Sequence, residues 1–397
     1  MTGGSGLAQP APPAAGDADA VARGRYLATL GGCGDCHTAK AGDFAGGRPF
    51  KSPMGTVVSA NITPDMATGI GGWTSDDFYR ALHEGKSRKV GHLYPAFPYP
   101  HFTQITRADA DDLFAFLRSQ PAVSNDPKRD QLSFPLNIRA TMAIWNGLYF
   151  HKGEFQPDPA KSAQWNRGAY IVEALAHCGA CHTPKNALQA EVRDKAFAGG
   201  AVETWFAPDL TTAPRTGLGR WSKEDIVYFL KTGRNRWTVA GGLMAGVVAG
   251  STSKLRDSDL EAIAAYLTTL PAAPPPAPAQ VDASAVQRGE AVYAANCVRC
   301  HGKGSGGLAP ALDGDANVLA AEPTTILHYM LSGTTSPPTA GSPTRMPAFG
   351  EKLDDRQLAD VASYIRGGWS NRASSVTPET VAKLRAKVQA EAVGGGG

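Results

Sequence analysis

All six cysteines of this 397-residue chain fall in one short pattern, which occurs three times: CGDCH at 33–37, CGACH at 178–182 and CVRCH at 297–301. Two thiols three positions apart can each close a thioether on one vinyl group of a haem, while the adjoining imidazole reaches the iron. The spacing therefore reads as covalent c-type haem attachment. Cys33, Cys36, Cys178, Cys181, Cys297 and Cys300 are the expected attachment points of three covalently bound haem c groups, with His37, His182 and His301 as one axial ligand each. A zinc site needs four ligands in a tetrahedron, and separate Cys-Cys-His sets do not group into fours. A thioredoxin-like pair has no use for the following histidine, and structural disulfides would not repeat it.

The length allows two or three domains, each with its own core. With 45 glycines and 29 prolines, short helices joined by long turns are expected. The formal net charge is only +3, and about −1 per oxidised haem offsets it, so strong electrostatic steering is not expected. No Lys/Arg run suggests nucleic acid, and no stretch of apolar residues is long enough to span a bilayer. The start, MTGGSGLAQPAPPAAGDADA, lacks the charged and apolar regions of a secretory signal. Covalent haem attachment nonetheless implies a bacterial periplasmic setting, with the signal removed by processing.

The chain repeats internally. TGIGGWTSDDFYRALHEG (68–85) aligns without gaps on TGLGRWSKEDIVYFLKTG (216–233), and NITPD upstream is matched to WFAPD. Each CxxCH follows a helical pattern containing an Arg-Gly pair: VARGRYLATLGGC, WNRGAYIVEALAHC and VQRGEAVYAANC. The unit reads as N-terminal helix, CxxCH, long loops, middle helix, distal loop and C-terminal helix. That order resembles class I cytochrome c, in which the first and last helices cross; Gly289 and Tyr293 with Tyr364 mark such a crossing. The expected fold is all-α, with three tandem class I cytochrome c-like domains and long loops. The boundaries read 17–160, 161–271 and 281–369, with a Pro-rich linker at 272–280 and a tail at 370–397. In the tail, TPETVAKLRAKVQ has Thr377 as N-cap, Pro378 at the first helical position, and Val381, Leu384 and Val388 on one face, the pattern of a docking helix.

A second axial ligand is expected from each distal loop. Met346 of RMPAFG is the candidate in the third unit, and Met244 of GGLMAG is the only methionine of the second. The first loop, GHLYPAFPYPHF, has no methionine; His92 is the nearest candidate, with His101 or Met54 as alternatives. Trp73 and Trp221 recur in register as core or haem-packing residues. Pro310, Pro208 and Pro64 are candidates to present a carbonyl to the proximal histidines.

Taken together, RGRYLATLGGCGDCHT, FAGGRPFKSPMGTVVSANITPD, YPAFPYP, FPLNIRATMAIWNGLYF, the Pro-rich linker and MPAFG resemble the cytochrome c subunits of membrane-associated bacterial dehydrogenases. The resemblance implies an electron-transfer subunit with no substrate site of its own. It implies a catalytic dehydrogenase partner, ubiquinone or a terminal oxidase as acceptor, and peripheral attachment to the inner membrane. Many alcohol- and sugar-dehydrogenase members resemble YPAMPYP, where this chain has Phe97. The FPYPHF form looks more like the cytochromes of molybdenum-type aldehyde dehydrogenases, so a molybdenum and iron–sulfur partner is favoured, with flavin or pyrroloquinoline quinone as the alternative. The apolar stretch 134–150 reads as a strap packed over a domain junction, or as a surface facing partner, lipid or quinone. A different class of function is a stand-alone multihaem oxidoreductase with an open haem in the first unit. A free periplasmic carrier is disfavoured by the length of the wire.

Overall fold

The structure is a computed structural model and describes residues 15–128, 130–274, 279–337, 339 and 345–394. Part of the linker at 272–280, the opening residues of the chain and the last glycines lie outside the described residues. The chain is helix-rich, and its long loops carry short antiparallel strand pairs. The largest of these is a three-stranded sheet in which Gly55–Val58 pairs with both Pro49–Ser52 and Gln131–Leu132. Two compact units divide the chain. The first comprises residues up to 29, 36–147 and 152–154; the second comprises 30–35, 148–151 and 155 onward. Residues 161–271 and 281–369, each with its own CxxCH, thus belong to one compact unit.

One packing device occurs three times. A Cβ on Gly24 would sit 1.9 Å from the Asp112 carbonyl oxygen, on Gly168 1.9 Å from that of Ala262, and on Gly289 2.0 Å from that of Asp360. At each place the helix before the CxxCH lies backbone against backbone on the C-terminal helix, a separation only glycine permits. The preceding arginine seals each crossing with a fork-shaped ion pair: Arg23 to Asp112, Arg167 to Asp259 and Arg288 to Asp360. In the third crossing Tyr293 meets Tyr364 with ring centroids 5.2 Å apart, and Trp369 closes the cluster. The arginine-glycine pairs are plain in the sequence. Their aspartate partners are not, because Asp112 stands in a run with Asp109 and Asp111.

Within the second unit, the segments carrying the second and third CxxCH are joined by specific bonds. The Thr325 hydroxyl accepts from the Phe206 amide at 2.9 Å and donates to the Phe206 carbonyl at 2.8 Å. Trp205 stacks on His328 at 3.7 Å with planes 19° apart, and Arg220 donates to the Gly314 carbonyl at 2.6 Å. The tail helix Pro378–Gly394 docks as its stripe predicts: Val381 and Leu384 are buried and Val388 packs against the same core as Leu358 and Ile365. The Thr380 amide donates to the Thr377 hydroxyl, completing the N-cap.

Gly289→Ala is expected to cost about 3 kcal/mol, because the added methyl must push two helices apart. Gly147, whose Cβ would meet nothing within 4 Å, is the control; Gly147→Ala should be neutral or slightly stabilising, by under about 1 kcal/mol. Chemical denaturation of the haem-loaded protein measures both.

Candidate haem centres

Each CxxCH forms a short helical turn, spanning Cys33–His37, Gly179–His182 and Val298–His301. Helical spacing sets the two thiols on one face and directs the imidazole beside them. Each imidazole is then pinned through Nδ1. It lies 2.7 Å from the Ala60 carbonyl oxygen for His37, 2.7 Å from that of Pro208 for His182, and 3.0 Å from that of Pro310 for His301. A carbonyl only accepts, so Nδ1 carries the proton and Nε2 keeps its lone pair for a metal. Burial lowers the pKa of all three rings, which favours this neutral form.

Pro208 and Pro310 stand where the sequence suggested, whereas Pro64 does not: Ala60 takes its place. The offset that sets Thr68 on Thr216 also sets Ala60 on Pro208. Asn61 and Asp209 then match, each accepting from the amide two residues on. The upstream match of NITPD to WFAPD is therefore slipped by one turn of chain, and the proximal acceptor of the first unit is a carbonyl that no side chain advertises.

The third CxxCH opens on a cavity of about 290 Å³. Cys297, Cys300 and His301 line it together with Met346, among apolar walls that include Leu358 and Ile365. Met346 is held there by the pairing of Arg345–Met346 with Thr334–Thr335. An apolar cavity with two thiols, an imidazole with a free Nε2 and a thioether is a donor set that fits a haem. Burial pushes the Cys297 thiol up to about 11 and, in the second CxxCH, the Cys178 thiol up to about 12, so both are neutral before any group is attached. Among the described residues no three His, Cys, Asp or Glu side chains gather into a metal site. No two cysteines are joined as a disulfide.

Two features of this cavity have no sequence signal. Thr238, Val239 and Ala240, from the loop leading to Met244, form part of its wall. Asp315 also lines it, buried, capping the helix Ala316–Leu319 by accepting from the Asn317 and Val318 amides. Burial raises its pKa above the ordinary carboxylate range despite these bonds.

Met244 lies not in an open loop but in the first turn of the helix Gly242–Gly250, half-buried, because Gly242 at φ 53° starts that helix directly against Trp205. In the first unit, His92 ends a short strand pair with Lys86–Ser87, and its Nδ1 is buried with no partner in the protein. The buried indole Nε1 of Trp73 and the buried Nδ1 of His83 likewise have none. His101 is buried in the helix Tyr99–Phe102, and Met54 sits in the turn between two strands. Within the stretch 134–150, Phe134 is 80% exposed, Ile144 70% and Leu148 61%, while Met142 is the only buried member of the helix Met142–Tyr149.

Known proteins give these features a family. A family model described as cytochrome c matches residues 21–121 and 165–271, and one described as cytochrome c oxidase, cbb3-type, subunit III matches 284–365. The gluconate 2-dehydrogenase cytochrome c subunit of Pantoea cypripedii is 40% identical over 393 residues, covering 92% of this chain and 89% of that protein. The cytochrome c subunit of a quinone alcohol dehydrogenase from Gluconacetobacter polyoxogenes is 39% identical, covering 93% and 85%. A nicotinate dehydrogenase subunit of Pseudomonas putida is 41% identical over 91% of this chain, which spans only 31% of that longer protein. The chain is built of cytochrome c domains, which imply covalently bound haem c. It belongs to the family of cytochrome c subunits of dehydrogenases.

Asp315→Asn keeps a capping oxygen and removes a buried charge. Because the folded-state pKa of Asp315 is raised, its contribution to stability is greatest at low pH and is lost as pH rises above the ordinary carboxylate range. The variant should therefore gain in melting temperature relative to the parent as pH increases toward neutrality. Parallel melting curves across that range measure the difference.

Proposed function

We propose that this chain is the three-haem electron-transfer subunit of a periplasmic dehydrogenase that oxidises an alcohol, gluconate or a sugar, passing electrons toward ubiquinone or a terminal oxidase. The observation that carries the reading is the threefold CxxCH turn, each with its histidine locked so that Nε2 faces away from the carbonyl it pins. Relatives named for gluconate and alcohol dehydrogenases support these partners over the aldehyde dehydrogenase suggested by FPYPHF. The relative named for nicotinate dehydrogenase supports a second reading, a partner acting on an aromatic acid, to which we assign the molybdenum-type partner suggested by FPYPHF.

Each haem, when attached, supplies a one-electron couple at its iron. The protein's part is to set that iron's ligands and to exclude water. Carbonyls fix the proximal rings, Met244 and Met346 would supply the second ligand of the second and third haems, and the apolar walls of the third cavity would limit access of water to its iron. The loop 238–240 belongs to the segment bearing Met244 yet walls the cavity of Met346, which supports direct exchange between the second and third haems. No substrate site in this chain enters the reading. No helix among the described residues is long and apolar enough to cross a membrane, so contact with bilayer or partner falls to surfaces such as Phe134, Ile144 and Leu148.

Purification of the native complex through this chain in mild detergent, followed by cofactor analysis of what accompanies it, tests the assignment. Flavin or pyrroloquinoline quinone is the expected result. Molybdenum would move the assignment to the second reading, and recovery of the cytochrome alone with all its haems would contradict the subunit role. In the same preparation, Ile144→Glu combined with Leu148→Glu should lower recovery of the partner or of the membrane-bound fraction at least ~10-fold, the effect of about 1.4 kcal/mol at a desolvated contact, with haem content unchanged.

A further inference from the structure

The three distal loops share a register that the sequence hides. Each middle helix ends on a glycine of positive φ: Gly85 at 60°, Gly233 at 80° and Gly333 at 70°. The residue after each glycine pairs antiparallel with one residue further on: Lys86 with His92, Arg234 with Val239, Thr334 with Met346. The next amide then returns to the glycine carbonyl, Leu93 to Gly85 at 2.8 Å and Ala240 to Gly233 at 2.7 Å. In the third loop that position is Pro347, which has no amide hydrogen, and the strand pair stands without the bond. His92, Val239 and Met346 are therefore equivalent positions, although the loops between partners differ in length.

Met346 at this position lines the cavity with His301. Five residues further on, the three loops carry Phe97, Met244 and Glu351. Across these two positions each loop offers one side chain suited to haem iron. In the second it is Met244, since Val239 has no donor. In the third it is Met346, since Glu351 is exposed. In the first, Phe97 has no donor and packs on Phe102 with ring centroids 5.3 Å apart.

We propose that His92 is the sixth ligand of the first haem, which is thus held by two histidines while the second and third are held by histidine and methionine. This rests on the three-haem reading above. The backbone of His92 is spent: its carbonyl accepts from Arg139 at 2.9 Å. Its buried Nδ1 makes no hydrogen bond to the protein, a feature it shares with His83, so it is the place of His92 in the shared distal register that marks it as the ligand. The alternatives fail on position. His101 lies beyond both equivalent sites and already has a partner. Met54 belongs to a strand turn whose carbonyl accepts from the Ser133 amide at 3.0 Å. A second imidazole in place of a thioether lowers the reduction potential, so the first haem is the lowest of the three. Its filled shell also removes the open haem that a stand-alone oxidoreductase would need.

The test uses the full, haem-loaded chain. Haem stoichiometry from the pyridine haemochrome is read first, because fewer than three haems in the unsubstituted protein would contradict the three-haem reading itself, whatever the ligands. With three present, ferric electron paramagnetic resonance should show all of them low-spin. His92→Ala should turn one of the three high-spin and open it to carbon monoxide on reduction, while His101→Ala and Met54→Ala leave all three low-spin. Should His92→Ala fail to fold, His92→Met decides. It should keep three low-spin haems, raise one midpoint potential, and increase the far-red methionine-to-iron band about 1.5-fold, from two such haems to three. An unchanged band and unchanged potentials in His92→Met, low-spin haems throughout in His92→Ala, or a high-spin haem in either control would overturn the assignment.

Discussion

Everything placed around the three candidate haems depends on a backbone contact that only glycine allows. Gly24, Gly168 and Gly289 bring the helix before each CxxCH onto a carbonyl of the C-terminal helix, at a distance no Cβ could share. An arginine forks onto an aspartate beside each one, fixing the rotation of one helix on the other. The CxxCH turn follows directly from the helix so held, so the crossing sets where the thiols and the imidazole stand. In the third unit the distal loop brings Met346 to the same cavity that His301 lines.

On this frame the loops differentiate the sites. The proximal carbonyl varies between alanine and proline because only the backbone atom matters. Under the proposed ligation the distal donor varies in kind and position, which a strand pair closed on a glycine allows because it accepts loops of different length. The second and third CxxCH segments also share more than a linker: the stack of Trp205 on His328, the hydroxyl bridge of Thr325 and the wall formed by 238–240 place them in one body.

What the sequence revealed follows the range of the interaction involved. Covalent attachment demands fixed spacing, so the CxxCH turns were legible, as were the arginine-glycine pairs and the stripe of Val381, Leu384 and Val388 that docks the tail helix. Ala60 was not, since any residue has a carbonyl and a short alignment slip shifted the choice to Pro64. Asp112, Asp259 and Asp360 could not be told from neighbouring surface acids. The apolar stretch 134–150 left two readings open, a strap over a domain junction or a surface for partner, lipid or quinone, because composition alone cannot separate them; Phe134, Ile144 and Leu148 are exposed. Burial of a single helix face depends on what packs against it, and no local pattern carries that information.

The central claim is that one chain carries three separate one-electron centres, each covalently fixed. Intact-mass measurement of the holoprotein under denaturing conditions, paired with a coulometric titration of the native form, tests it most directly. The account predicts a mass increment of three haems that survives denaturation and an uptake of three electrons per chain. A smaller increment, haem lost on denaturation, or an electron count below the haem count would contradict it.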